Sequence, residues 1–457
     1  VRASRLWRIF AVLLALSLVA AACGDDDDDT GTATEDTAED GGEDGGEDGD
    51  AGATEGEIEV AEGTVINTDD CPSEWDAEAG LTDDEITLAM SLPESGPVAA
   101  LGGLDDGMRA WFDQMEPIDG RSINLVSADD AYTPDRALTN VEGFLESDDP
   151  FALVYLVGTP NVLAVRDIVQ EECVPMLFNS TGYPGWGDPA NYPWTIGGLM
   201  AYNTEANLWC RYINDEIGED STVAALYMDN DFGLSYEETI NECDINVVES
   251  VRHDPAAADV TDEVTTLAAS DADVVLLGTT GAPCPQAMAA IAQSSWDPTV
   301  IMSNTCQPIA TYFAPIDPAG EGVIVAATAK EAGELEDPAV QEAREALDAA
   351  GLSADEGSFY TGVTFAHTVE NILRQAAEME GGLNRINLMR AVWNADTSNP
   401  LGLDGSTYVT DGVNDAYLVE AAQFVEYVPP AEGETLGRYE PLGDIISVEG
   451  ETGSVGG

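Results

Sequence analysis

The chain has 457 residues, 44% of them hydrophobic, which is room for two domains of ordinary size. It carries 88 Asp+Glu against 15 Lys+Arg, a formal net charge of -73, and a single lysine, Lys330. Such acidity excludes nucleic acid as a partner, since nothing could neutralise a row of phosphates, and it favours a highly solvated surface.

The chain opens with Arg2, Arg5 and Arg8, followed by a short apolar run from Ile9 to Ala22. That run is too short for a comfortable membrane span and reads as a secretory signal. Leu18 to Cys23, LVAAAC, resembles the lipobox of bacterial lipoproteins. The resemblance implies a signal peptide over residues 1–23 and a lipidated Cys23, several acyl chains giving a stable anchor to the outer face of the membrane. Ordinary secretion after cleavage at an A-x-A site is the alternative. Residues 24–84 are rich in Asp, Glu, Gly, Thr and Ala with few large apolar side chains, and they predict a disordered, self-repelling tether.

A globular body is expected from near Ile86, where strands and helices begin to alternate in the manner of a parallel α/β sheet. Ile86 to Met90 is a strand, and Leu104, Met108, Trp111 and Met115 form one face of a helix. Ile123 to Ser127 is the next strand. The loop from Asp129 to Pro134 leads into a helix with Leu138, Val141 and Leu145 inward. Ala152 to Val157 is a buried strand, ended by Gly158. Thr159 suits the N-cap and Pro160 the first turn of a helix carrying Val162, Val165, Ile168 and Val169. A further short strand, Val174 to Phe178, runs into Asn179-Ser180-Thr181-Gly182. After a crossover at Tyr192 to Gly198 the series restarts, with strands at Val223 to Met228, Ile245 to Val251, Ala272 to Leu277 and Thr299 to Met302.

Loops after corresponding strands can be set side by side. Gly278-Thr279-Thr280 answers Gly158-Thr159, and Ser303-Asn304-Thr305 answers Asn179-Ser180-Thr181. Asp229 to Gly233 answers Pro93-Glu94-Ser95-Gly96. Two α/β lobes facing each other would set both groups of hydroxyl-bearing loops across one cleft, at the carboxyl ends of the strands where parallel sheets bind ligands. Gly322 to Thr328 is another strand. Helices follow at Pro338 to Ala350, Ser358 to Met379 and Leu388 to Trp393, then a strand-like tail, with 431–457 loosely ordered.

Setting Cys23 aside, six cysteines remain, and an even number in an exported chain suggests disulfides. Sequence alone does not choose among the fifteen possible pairings. Locality favours Cys210 with Cys243 and Cys284 with Cys306, leaving Cys71 for Cys173. No metal site is expected, because no CxxC spacing occurs and His253 and His367 are the only histidines. No nucleophile elbow, HExxH helix or phosphate loop is present, and no enzyme or cofactor is expected.

LPESGPVAALG, DDAYTP, VGTPNVLAVRDIVQEECVPMLFNSTGYP, YMDNDFG and DVVLLGTTG, in that order, resemble the solute-binding proteins of ABC importers. The resemblance is to the branched-chain amino acid (Leu/Ile/Val-binding) type, with a type I periplasmic binding protein fold. It spans Ile86 to about Val428 and implies two doubly wound α/β lobes joined by three hinge crossings, closing on a solute. The expected lobes are 85–198 with 329–404, and 199–328 with 405–430. The resemblance implies that Thr159, Ser180, Thr181 and Gly182 hold the solute from lobe I, with Ser95 contributing, while Phe232, Thr280 and Thr305 close over it. Thr280 and Thr305 stand where amino-acid binders carry a tyrosine and an acid. The expected function is capture of a small polar solute, an amino acid, amide or related carboxylate, by a monomer that delivers it to permease subunits. A sensor feeding a signalling receptor and a secreted hydrolase are the alternatives.

Overall fold

The computed structural model describes residues 56–451 and 454, apart from 258. The signal segment, Cys23 and the tether as far as residue 55 lie outside the described residues.

The chain is folded well before Ile86. β1 (Glu57–Ala61) and β2 (Thr64–Asn67) form an antiparallel hairpin. It is held by Asn394, whose Nδ2 donates to the Val60 carbonyl at 2.7 Å. Trp75 donates its indole N–H to the Cys173 carbonyl at 2.9 Å, beside a Cys71–Cys173 disulfide. The acidic tether expected through residue 84 is therefore structured from 56 onward. Its few apolar side chains suffice because a covalent link to the body reduces the entropy their burial must offset.

Lobe I contains β3 (Glu85–Leu92), α1 (Leu104–Phe112), β4 (Ser122–Asp129), α2 (Pro134–Ser147), β5 (Ala152–Val154), α3 (Thr159–Glu171), β6 (Met176–Asn179) and β7 (Thr195–Gly197). Its strands are all parallel, in the order β4-β3-β5-β6-β7. Lobe II contains α4 (Tyr202–Tyr212), β8 (Thr222–Met228), α5 (Asp231–Glu242), β9 (Asn246–His253), α6 (Thr261–Ala268), β10 (Val274–Gly278), α7 (Pro283–Gln293), β11 (Thr299–Met302), α8 (Ile309–Tyr312) and β12 (Ile324–Ala327). Its parallel part runs β9-β8-β10-β11-β12, the same order again. Central strands such as β8 and β10 are apolar and buried along their interiors, as both faces are covered by helices, whereas the edge strands β4 and β9 are more exposed.

The chain then returns to lobe I with α9 (Pro338–Ala350), α10 (Phe359–Glu378) and α11 (Arg385–Trp393). Asp337 caps α9 by accepting from Ala339 N and Val340 N, and Gly351 ends it in the left-handed conformation. β13 (Asp396–Thr397) pairs with β14 (Tyr408–Val409), so the chain stays with lobe I beyond residue 405, where lobe II was expected to resume. β15 (Ala421–Val428) adds antiparallel to β12, and β16 (Arg438–Pro441) and β17 (Ile446–Ser447) pair with β15. The segment after 430, expected to be loosely ordered, thus supplies edge strands. Their side chains are largely exposed, which is why no apolar pattern marks them.

Three strands of chain cross between lobes, at residues 198–201, 328–331 and 410–420. Disulfides also join Cys210 to Cys243, stapling the ends of α4 and α5, and Cys284 to Cys306.

Candidate functional site

In each sheet the first strand of its series lies between the second and the third, so the connections leave in opposite directions and open a crevice at the strand ends. The two crevices face each other. On the lobe I side Ala131, Tyr132, Tyr155 and Phe178, none of them glycine, have φ of 48°, 58°, 48° and 56°. Asp130, fully buried, holds the first of these turns by accepting from Tyr132 N at 2.8 Å and Ser91 Oγ at 2.9 Å. Burial pushes its carboxyl up to about 6.

The lobes are in contact around a partly open cavity. Ala282 N donates to the Pro97 carbonyl at 3.0 Å, and Thr311 Oγ1 to the Gly357 carbonyl at 2.6 Å, each bond running from lobe II to lobe I. The cavity leaves about 120 Å³ for the centres of water-sized groups. Val98, Leu101, Leu104, Val157 and Phe365 line it from lobe I, and Phe232, Pro308 and Ala310 from lobe II. The polar lining includes Ser180, Tyr202, Thr280, Thr305, Gln307, Glu331 and Tyr360.

Of the residues expected to bind, the structure brings Ser180, Phe232, Thr280 and Thr305 to this cavity. Four others lie outside its lining. Ser95 is exposed and donates its hydroxyl to Asp129 Oδ2 at 2.7 Å, ordering its own loop. Thr159 and Thr181 are fully buried with their hydroxyl oxygens 2.6 Å apart. Thr159 does not cap α3 with its side chain; Gly158 is the N-cap. Tyr202 donates to Thr181 Oγ1 at 3.4 Å, so the threonine pair supports a ring that reaches the cavity. At Gly182 a Cβ would lie 2.0 Å from the Met200 carbonyl oxygen, and the glycine carbonyl accepts from Tyr202 N at 2.7 Å. Gly182 allows the first crossing to pass close by.

Sequence reasoning missed Tyr202, Gln307 and Glu331. Phe232 packs edge-on to Tyr202, ring centroids 4.8 Å apart, both within lobe II. Glu331 Oε1 accepts from Gln307 Nε2 at 3.2 Å and Oε2 from Ile309 N at 3.1 Å. Deeper in, Glu205 accepts from Tyr236 OH at 2.6 Å and from Asn304 N at 2.7 Å, fixing the loop that carries Thr305. Burial pushes both carboxyls up to about 8, so both are mainly neutral at pH 7. Lys330 is the one cationic side chain in the lining, and its ammonium is held by Asp337 at 2.7 Å and Asp404 at 2.8 Å.

These two carboxyls set a pH dependence. Their folded pKa lies above the ordinary value of 4.5, so the stability they contribute is fully present below that value and is lost as pH rises through about 8. Paired Glu205→Gln and Glu331→Gln substitutions should flatten the fall in urea midpoint between pH 5 and pH 8. The expected change is on the order of 2 kcal/mol per carboxyl. An equal slope in parent and variant would exclude these two groups as its source.

Both histidines are packed and neutral. His253 Nε2 lies 2.8 Å from Thr279 Oγ1, and His367 is held down to about 4 by burial, against the Trp111 ring. Among the described residues no helix is long and apolar enough to cross a membrane.

The comparisons agree with this architecture. No curated protein matches the chain. Among solved structures, a branched-chain amino acid ABC transporter protein from Thermus thermophilus with bound valine superposes with a TM-score of 0.69 at 16% identity, covering 80% of this chain and 97% of that one. A fatty acid ABC transporter substrate-binding protein from Thermomonospora curvata gives 0.68 at 18% identity, covering 83% and 96%. A substrate-binding periplasmic protein from Ralstonia solanacearum gives 0.64 at 20%, covering 78% and 100%. The family description "Periplasmic binding protein" matches residues 85–423. With that match spanning both lobes and a closed cleft between them, this chain belongs to the periplasmic binding proteins, an extracytoplasmic family of solute-binding proteins rather than enzymes.

Proposed function

We propose that the protein captures a small carboxylic acid or amide with a largely apolar body and delivers it to the permease of an ABC importer. Attachment of Cys23 to the outer face of the membrane belongs to the same reading. The observation that carries it is the cavity lining: an apolar wall from both lobes, with Ser180, Thr280 and Tyr360 hydroxyls to donate to a head group. The Tyr360 hydroxyl is buried and has no hydrogen-bond partner within the chain. The space holds on the order of ten water-sized groups. An α-ammonium is poorly served, because both oxygens of Glu331 already accept, from Gln307 Nε2 and Ile309 N. The hydroxyl-rich loops led to the expectation of a small polar solute; the apolar wall narrows that to a polar head on an apolar body.

The test is a melting-temperature and calorimetric panel pairing valine and leucine with their deaminated acids, the matching amides and benzoate. Acids or amides should stabilise the protein and the zwitterions should not. Equal or tighter binding of valine or leucine would return the site to amino acids. Closure is tested separately at Gly281, which has φ 71° and would place a Cβ 2.8 Å from the Pro97 carbonyl oxygen of lobe I. Gly281→Ala strains the left-handed turn and crowds the lobe I carbonyl, so the unliganded melting temperature should fall by on the order of 3 °C and affinity for the bound solute about tenfold.

A further inference from the structure

Three carboxylates converge outside the cavity lining. Asp415 lies in the third crossing, Glu420 just before β15, and Glu449 just after β17; one oxygen of each lies within 4.8 Å of the other two. Asp415 is 7% exposed and Glu420 1%. Asp415 Oδ1 and Glu449 Oε1 are buried oxygens with no hydrogen-bond donor. Neither residue has an arginine or lysine partner among the described residues. Arg211, on the neighbouring α4, is instead 3.6 Å from Glu451.

Like charges buried this close repel strongly, and an orphaned buried carboxylate oxygen loses its hydration without replacement. A cation in the middle would answer both costs. The donor set is all oxygen, without histidine or cysteine. Calcium accepts such sets, taking six to eight oxygens at flexible angles, whereas magnesium demands a regular octahedron and zinc prefers nitrogen and sulfur. The half-buried Glu449 side leaves water access to complete the shell.

We propose that Asp415, Glu420 and Glu449 form a calcium site that clips the segment around β17 onto the third crossing. β17 has only a short pairing, Ala421 with Ser447 and Ala422 with Ile446. Backbone bonds from Val448 N to the Glu420 carbonyl at 2.8 Å and from Gly450 N to Glu420 Oε2 at 2.7 Å bring the segment into place. The ion would hold there what two ladder pairs alone hold weakly.

The experiment uses the full chain after chelator treatment, titrated with calcium chloride at constant ionic strength. The readouts are melting temperature, calorimetric stoichiometry and hydrogen exchange at 446–451. Calcium should bind at one saturable site, raise the midpoint by on the order of 3 °C, and slow exchange over 446–451. The Asp415→Asn, Glu449→Gln double variant keeps the shape of both side chains and should lose all three responses. With so acidic a surface, weak general binding is the main confounder. A calcium response of equal size in the double variant would overturn the site, and so would a wild-type response without protection at 446–451. No calcium response in the wild type, with a more stable double variant, would mean that shared protons relieve the trio and no ion is held.

Discussion

Replacing Cys71 and Cys173 together by serine lowers the unfolding free energy by about 4–5 kcal/mol, the largest loss expected of any one covalent link in the chain. The bond closes a loop with a sequence separation of 102, against 33 for Cys210–Cys243 and 22 for Cys284–Cys306. Chain-entropy reasoning gives the shorter loops about 3–4 kcal/mol each. The long loop encloses β3 through α3, most of the lobe I sheet, and fastens to it a hairpin that buries little apolar surface. Guanidinium unfolding of the double serine variant under oxidising conditions measures the loss, and limited proteolysis locates it. Cleavage should appear first between residues 56 and 84. A variant within 1 kcal/mol of the parent would mean that noncovalent contacts, such as the Trp75 indole bond, hold the hairpin unaided.

Gly182→Ala should cost at least about 2 kcal/mol and abolish solute binding, though Gly182 does not line the cavity. The added Cβ would meet the Met200 carbonyl oxygen at 2.0 Å and the Tyr202 ring at 2.8 Å. A flexible side chain could turn aside, but the carbonyl belongs to the first crossing and can move only with it. Displacing that crossing carries Tyr202 off its lobe I partners, Thr181 Oγ1 at 3.4 Å and the Gly182 carbonyl at 2.7 Å, and disturbs the ring where it meets Phe232 in the cavity wall. The check is paired: a thermal midpoint for the fold, and calorimetry with a solute from the panel for the site. Wild-type affinity in the alanine variant would show that the first crossing tolerates the shift.

The alternating lobes were legible because parallel strands buried on both faces read as uninterrupted apolar runs. Val223 to Met228 and Val274 to Gly278 are such runs, and each is buried along its interior. The correspondence of loops was legible for the same reason, since equal strand order places equal loops together. The hairpin was not. Val60 and Ile66 are sparse apolar residues among acids, and what pins them is a cysteine and a tryptophan reaching residues about a hundred positions away.

Within the cavity, Ser180, Thr280 and Thr305 could be found because they follow strand ends, where a parallel sheet presents its ligand loops. Glu331 could not. In a chain with 88 acidic residues, EAGELED reads as solvated, and only the tertiary fold sets one of those carboxyls against Gln307 and the start of α8. Thr159 and Thr181 show a different difficulty. Their hydroxyls suit a ligand equally well, but each has the other as a partner, a pairing that no spacing in the sequence reveals.

The position of Lys330 makes this protein unusually addressable by a cutting enzyme. It is the only lysine among 457 residues, and the peptide bond after it lies in the second crossing between the lobes. A lysine-specific endoprotease therefore has one place to cut, and a cut there severs one of three connections while leaving each sheet whole. In the closed form the side chain is gripped by Asp337 and Asp404, and the adjacent backbone is bonded to Leu401, Lys330 N to its carbonyl at 2.8 Å. The rate of that single scission is a clock for how often the hinge lets go.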